Sequence, residues 1–371
     1  MACLCAAARG GNVNELARLL ACRIATTGPV TVADYMATAL GHPEHGYYTT
    51  RDPLGRDGDF ITAPEISQIF GELIGLWCVA VWEQTGSPTK VNLVELGPGR
   101  GTLMADALRA AAQVPAFLEA ADIVLVETSP VLRDRQAERL GAYDPKWCGS
   151  LDDVPDGPIL AIANEFFDAL PVHQFVRAPQ GWRERLVGRD ETGLKFMLSA
   201  GDMPHAALLD PVLMKSATEG DLAEVQPQSL AIAAALGERI AAVGGAALIV
   251  DYGHGESAPG DTLQAVRAHE PCGVLDTPGE ADLTVHVDFA ALRRAAGDSA
   301  DVWGPVSQGA FLQRLGIALR AKALTKQATP AQAADIASGV ERLIAPDQMG
   351  SLFKVLCLTQ AGLPQPPGFE D

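Results

Sequence analysis

Apolar and polar positions follow two different periods along the chain. Leu16, Leu19 and Leu20 fall on one face of a helix predicted over Asn12 to Ala25, and Thr31 stands where it would cap a second helix, Val32 to Leu40, that Gly41 stops. Thr62-Ala63-Pro64-Glu65 has the form of a capping box with proline near the helix start. It is expected to open one long helix, in which Ile66, Ile69, Phe70, Leu73, Ile74, Trp77 and Val81 keep helical spacing. The pattern then shortens. Val91–Leu96, Ile123–Val126, Ile159–Ala163 and Ala246–Val250 read as strands, with helices over Thr102–Ala112 and Pro130–Leu140 between them. Strands alternating with helices predict a parallel sheet covered on both faces. Ala300–Pro305 and Leu352–Leu358 read as a late strand pair that would complete seven strands, and Trp182–Val187 with Leu194–Leu198 as an inserted hairpin. Two stretches, Gly41–Phe60 and Gly253–Thr284, carry no regular period.

These patterns divide the chain into an N-terminal helical, substrate-lid region over 1–88, a core over 89–175 and 244–361, an inserted hairpin and helices over 176–243, and a loose Pro- and Gly-rich tail over 362–371. The length, 371 residues, suits about two domains. Apolar residues make up 48%, enough for a large core, and the net charge is −18. A strongly acidic chain is a poor nucleic-acid binder, because such binding needs clustered Lys and Arg. It suits a basic partner, although acidic surfaces also serve solubility alone. No apolar run reaches the roughly 18 residues of a membrane span; the longest, Ile66 to Val81, is interrupted by Gln68, Glu72 and two glycines. The seven cysteines are scattered without a metal-binding spacing and read as reduced thiols. The Ala-rich composition, without a Ser- and Arg-rich leader, points to a bacterial cytoplasmic protein in preference to the mitochondrial matrix.

The chemistry concentrates at Val94 to Thr102, between a predicted strand and a predicted helix. Glycines let a backbone approach a ligand and adopt positive φ, and ligands of open α/β sheets sit at the carboxyl ends of strands. The dinucleotide fingerprint G-x-G-x-x-G fails, because position 102 is Thr. This disfavours a nicotinamide oxidoreductase. The spacing present is E-x-G-x-G-x-G, from Glu95 through Gly97, Pro98 and Gly99 to Gly101, which resembles motif I of class I S-adenosylmethionine methyltransferases. Glu127, ending the next strand, is placed to accept both ribose hydroxyls of that cofactor; capping the helix that begins near Pro130 is the alternative.

Four longer segments narrow the resemblance. Gly46-Tyr47-Tyr48, Gly58 to Gln68, Val94 to Met104 and Asn164 to Pro171 together resemble the MidA family, also called the complex I assembly factor 7 family, over roughly Leu16 to Gln360. The resemblance implies an α/β, Rossmann-like class I methyltransferase with a seven-stranded, mostly parallel sheet, an N-terminal helical region and insertions. It implies S-adenosyl-L-methionine as cofactor, with Glu95, Gly97, Pro98, Gly99, Gly101, Thr102, Glu127 and Leu151 around it. Trp147, Gly149, Ser150 and Leu151 stand where adenine contacts usually fall. It also implies methylation of a protein arginine, known on a complex I subunit for the mitochondrial member. A non-catalytic assembly factor retaining its cofactor site is the alternative. A guanidinium stays protonated at ordinary pH, so carboxylates must hold it and aim one nitrogen at the methyl donor. Glu165 and Asp168 are the candidates, with Asn164 beside them and Asp59 as a further one; capping of the turn by Asn164 and Asp168 is the competing role. Tyr47, Tyr48 and His45 are candidates for a lid or for turn packing, and His254 for a base or a solvated loop residue.

Overall fold

A computed structural model describes residues 14–50, 61–201 and 204–370. The chain folds into two compact units, one of residues 1–60, 169–229 and 257–286, the other of residues 61–168, 230–256 and 287–371. Each has its own core.

The second unit carries the large sheet. Its strands are β1 (Val91–Leu96), β2 (Ala121–Val126), β3 (Lys146–Cys148), β4 (Ile159–Asn164), β5 (Gly245–His254), β6 (Val287–Asp288), β7 (Asp301–Ser307) and β8 (Phe353–Thr359). They lie in the order β7-β8-β5-β4-β1-β2-β3, with β6 beside the end of β5. Neighbours from β5 to β3 are parallel, and β8 runs antiparallel to both β5 and β7. The sheet thus has eight strands where seven were expected. The two given no range in the sequence, β3 and β6, are three and two residues long, too short to leave a period. β1 and β4 are buried at every position, in keeping with their largely apolar sequences, and β1 buries Asn92 and Glu95 with the rest. The chain moves outward from β1 to β2 and β3, then returns to place β4 on the other side of β1. That reversal leaves a crevice position at the carboxyl ends of β1 and β4.

Helix α1 (Gln68–Gln84) packs against α2 (Thr102–Ala111). The residues that interrupt the apolar run of α1 are the ones that make this packing possible. A Cβ on Gly75 would lie 2.3 Å from the carbonyl oxygen of Ala107, and one on Gly71 2.7 Å from Cβ of Asp106. Glu72, buried between them, is clasped by Arg109 and by Arg320, whose Nε donates at 2.6 Å. Burial alone would raise its carboxyl, and the two guanidiniums hold it below the usual carboxylate range. Alanine at position 75 is expected to lower stability by about 1–3 kcal/mol, although alanine is the better helix former, because the added methyl must displace backbone. Chemical unfolding of Gly75→Ala measures this, and an unchanged midpoint would show that the helices have room to part.

The expected capping box does not form. Residues Ala63–Ile66 make one isolated turn, Thr62 makes no side-chain cap, and Ser67 is extended before capping α1 itself. The local pattern loses because its members have distant partners: Glu65 binds Thr102, and the Ala63 N–H donates to Glu165. The long helix α1, grouped by its apolar spacing with the N-terminal region, belongs to the unit of the large sheet. Among the described residues no helix is long and apolar enough to cross a membrane.

The first unit contains helices Glu15–Thr27 and Val32–Gly41 and an antiparallel five-stranded sheet: Val30–Thr31, Gly181–Arg189, His173–Ala178 and Leu222–Val225 in order, with Leu194–Leu198 paired to Gly181–Arg189. The predicted hairpin is therefore part of a sheet. The stretch 253–284, expected to be irregular, holds three short strands, Gln264–Arg267, Glu270–Cys272 and Asp282–Thr284.

Candidate functional site

At the carboxyl end of β1 the chain turns through Gly97 (φ 64°), Gly99 (φ 52°) and Gly101 (φ 74°), then enters α2. All three are left-handed, a conformation costly for residues with a Cβ. At Gly97 space demands glycine as well, because a Cβ would meet the Phe166 ring at 2.8 Å. Glu95, one residue before the end of β1, is buried; its Oε2 has no hydrogen-bond partner, and burial pushes its carboxyl up to about 8. Thr102 Oγ1 bonds Glu65, with Arg139 against the same hydroxyl.

Glu127 follows β2 and is buried. Its Oε1 accepts the backbone N–H of Thr128 (2.8 Å) and Ser129 (2.7 Å), and its Oε2 accepts Gln136 Nε2 at 3.3 Å. Burial raises its carboxyl, and these donors pull against that rise. The cap of the following helix, α3 (Pro130–Leu140), is Ser129 and not Glu127. Gln136, fully buried on α3, is a member of the site that the sequence motifs do not mark. It also donates to the carbonyl of Gly99 at 2.7 Å and accepts from Trp147 Nε1 at 2.8 Å. Leu151 is buried in a short turn after β3, and Ser150 is engaged with Asp153.

The third group stands at the end of β4. Glu165 has φ 49°, in the left-handed region where a non-glycine residue costs of order 1–3 kcal/mol. Its Oε1 accepts the N–H of Ala63 at 2.8 Å and the side-chain amide of Asn164 at 3.1 Å. The Oδ1 of Asn164 is buried and has no hydrogen-bond partner. Burial, then the Ala63 N–H pulling the other way and the charge of Asp168 adding to it, leave the Glu165 carboxyl at about 7. The turn that follows is held from β5. Asp251 Oδ2 accepts three successive backbone N–H groups, from Phe166 (3.2 Å), Phe167 (3.0 Å) and Asp168 (3.2 Å), while Oδ1 accepts that of Tyr252 at 2.9 Å. Asp251 is fully buried, and burial with the neighbouring Asp168 and Glu165 carboxylates pushes its own well up. It too is a site member that the motifs do not mark.

The structure therefore brings Glu95, the glycine loop, Glu127, Asn164, Glu165 and Asp168 together at adjacent strand ends of one sheet. Asp59 lies outside the described residues. His254, the last residue of β5, bonds through Nδ1 to the nearby carbonyl of Glu256. Tyr47 is buried in the core of the first unit, and Tyr48 donates to Asp282 at 2.8 Å there, so both pack their own unit.

Residues 73–306 match a family described as "Putative S-adenosyl-L-methionine-dependent methyltransferase". The chain is 41% identical to the protein arginine methyltransferase NDUFAF7, mitochondrial, of Xenopus laevis, covering 92% of this chain and 84% of that one. The corresponding protein of Homo sapiens is also 41% identical, with 93% and 83% covered. A Burkholderia thailandensis protein whose crystal structure holds S-adenosyl-homocysteine superposes with a TM-score of 0.80 at 28% identity, over 95% of this chain and 93% of that one. Relatives named as mitochondrial overturn the expectation of a bacterial cytoplasmic protein. That expectation rested on the first few residues of the sequence and on alanine content, and alanine content has no physical link to a compartment.

Proposed function

The chain belongs to the MidA/NDUFAF7 family of S-adenosylmethionine-dependent methyltransferases, and on that premise we propose that it methylates an arginine side chain of a protein. The observation that carries the acceptor is the carboxylate group at the end of β4: Glu165 and Asp168, on a turn fixed by Asp251. A subunit of respiratory complex I is the acceptor the family resemblance suggests.

The residues present fit the cofactor. Three left-handed glycines leave the backbone bare, and Glu95 Oε2 and Asn164 Oδ1 are buried acceptors awaiting a donor. Glu127 stands after β2, the strand end from which a carboxylate accepts ribose hydroxyls in open α/β sheets. We assign Gly97, Pro98, Gly99, Gly101 and Thr102 to the methionine side, Glu95 to its amino group through the loop, Glu127 to the ribose and Leu151 to the adenine. The sheet order, with β8 alone opposed, is in this reading the class I methyltransferase arrangement. When bound, S-adenosylmethionine supplies an electrophilic methyl group.

The chain's own residues supply the rest. Glu165 and Asp168 hold the guanidinium and exclude the orientations that turn its nitrogens away from the donor. Asn164 and the Ala63 N–H occupy Glu165 Oε1, which leaves Oε2 to face the acceptor and to take the proton that the nitrogen loses. Calorimetry with S-adenosyl-homocysteine tests the cofactor site. Gly97→Ala is expected to weaken binding at least about 10-fold, because its methyl meets the Phe166 ring and its φ is strained. Failure of the unaltered, folded protein to bind would end the proposal. Mass spectrometry of methylarginine sites in cells with and without the protein tests the acceptor.

A further inference from the structure

Gln136 sits at the centre of a closed hydrogen-bond network that joins three elements of the proposed cofactor site. Its amide orientation is determined by chemistry. An indole N–H only donates, so the oxygen of Gln136 must face Trp147 (2.8 Å), and the amide nitrogen must face the Gly99 carbonyl (2.7 Å) and Glu127 Oε2 (3.3 Å). Its methylenes lie against Gly101, where an added Cβ would come within 3.6 Å of the Gln136 Cγ. One side chain thus touches the glycine loop twice, the carboxylate after β2, and the indole of β3.

The network also limits what Glu127 can accept. A carboxylate offers about four acceptor positions. Two on Oε1 are taken by the Thr128 and Ser129 N–H groups, and one on Oε2 by Gln136. One position on Oε2 remains, which is fewer than the two ribose hydroxyls expected of it.

We propose that Gln136 is a positioning residue for the cofactor: it aims the single open acceptor position of Glu127 at the ribose and ties that aim to the Gly99 carbonyl of the glycine loop. This rests on the assignment of Glu127 to the ribose. Gln136 touches no reacting atom. Its removal should therefore act on the recognition of ribose hydroxyls more than on the cofactor as a whole.

The test is calorimetric binding of S-adenosyl-homocysteine and of its 2′,3′-dideoxyribose analogue to the unaltered protein, Gln136→Met and Gln136→Glu. The unaltered protein is expected to prefer the hydroxylated ligand. Gln136→Met, similar in length but without donor or acceptor, is expected to bind S-adenosyl-homocysteine about 10- to 100-fold more weakly, since buried partners are left unpaired, and to lose most of its preference over the analogue. Gln136→Glu keeps the acceptor for Trp147 but faces Glu127 with a second carboxyl. Its deficit should be larger at pH 8 than at pH 6, where the introduced carboxyl can hold a proton and still donate. This variant gives the answer if the methionine variant does not fold. Equal weakening of both ligands, or no weakening of either with no pH dependence in Gln136→Glu, would overturn the proposal and leave Gln136 a packing residue. If the unaltered protein binds but shows no preference between the ligands, the ribose assignment of Glu127 fails instead, and the role of Gln136 with it.

Discussion

Glu165→Gln is expected to lower kcat/KM for methyl transfer about 10²- to 10³-fold, while leaving the affinity for S-adenosyl-homocysteine within a few-fold of its starting value. Glutamine keeps the oxygen that accepts from Ala63 and Asn164 but removes the charge that would hold a guanidinium. Losing one member of a buried, hydrogen-bonded charge pair costs about 2–5 kcal/mol. The pH profile adds a sharper test. The acceptor guanidinium stays charged across the accessible range, so the carboxyl sets the profile. Held at about 7 by burial, Glu165 must lose its proton before it can pair. kcat/KM should therefore rise with pH through about 7 and level off above it. The corresponding limb in kcat should lie lower, because a bound cation pulls the carboxyl down. In the glutamine variant the limb should vanish. Stability should move the opposite way. A carboxyl raised above its unfolded value stabilises the fold while protonated, and that contribution is lost as pH climbs through the folded value. At pH 8 the glutamine variant should thus be more stable than the unaltered protein by about 1–3 kcal/mol, with little difference below pH 4.5. A variant that retains full turnover would remove Glu165 from the acceptor site and favour the reading as a non-catalytic assembly factor.

Much of the large sheet is legible because its strands are buried on both faces. Ile159–Ala163 is a continuous apolar run closed by Asn164, and Val91–Leu96 is mostly apolar, broken by Asn92 and Glu95. In a chain that alternates such runs with helices, they are what the interior strands of a covered parallel sheet require. The five-stranded sheet was not legible as a sheet. Three of its strands follow one another by short turns and show only as a hairpin, while Val30–Thr31 and Leu222–Val225 join from across other elements, and such pairing leaves no local period. The capping box at Thr62 failed for a related reason: the side chain of Glu65 found a distant hydroxyl, and a four-residue signature carries no information about that competition. The two site residues outside the motifs had readable signals. Leu132, Gln136 and Leu140 repeat every four residues, so Gln136 sits on the buried stripe of an otherwise polar helix. A polar residue on an apolar stripe must have partners. Asp251 directly follows a run of buried strand residues, Ala246 to Val250, and is itself buried, which again demands donors.

Those donors make Asp251 the residue on which the acceptor turn depends, and its loss should be the most damaging single change to the fold near the site. One oxygen collects three consecutive backbone N–H groups at 3.0–3.2 Å, and the other a fourth at 2.9 Å. Successive N–H groups converging on one point form an anion-holding nest, so the carboxylate here acts as an internal ligand of the turn. In Asp251→Ala four donors, two buried and two part-buried, lose their partner, at about 1–3 kcal/mol for each buried one if unrelieved. Allowing for rearrangement of the turn, a loss of about 3–5 kcal/mol is expected. Asp251→Asn separates this scaffold role from charge. An amide oxygen turned toward the three N–H groups preserves them, while its NH₂ then meets the Tyr252 N–H, donor against donor. The asparagine variant should lose about 1–2 kcal/mol, and Glu165 and Asp168 should be displaced with the turn that carries them. Turnover is then expected to fall more than about 10-fold with S-adenosyl-homocysteine binding nearly unchanged, because the glycine loop and Glu127 are anchored through Gln136 and not through Asp251. Thermal unfolding, calorimetry and a turnover assay on the two variants read these effects separately. If the asparagine variant turned over normally, the left-handed Glu165 would have to be held by the backbone of β5, through the bond from its N–H to the Val250 carbonyl at 2.9 Å.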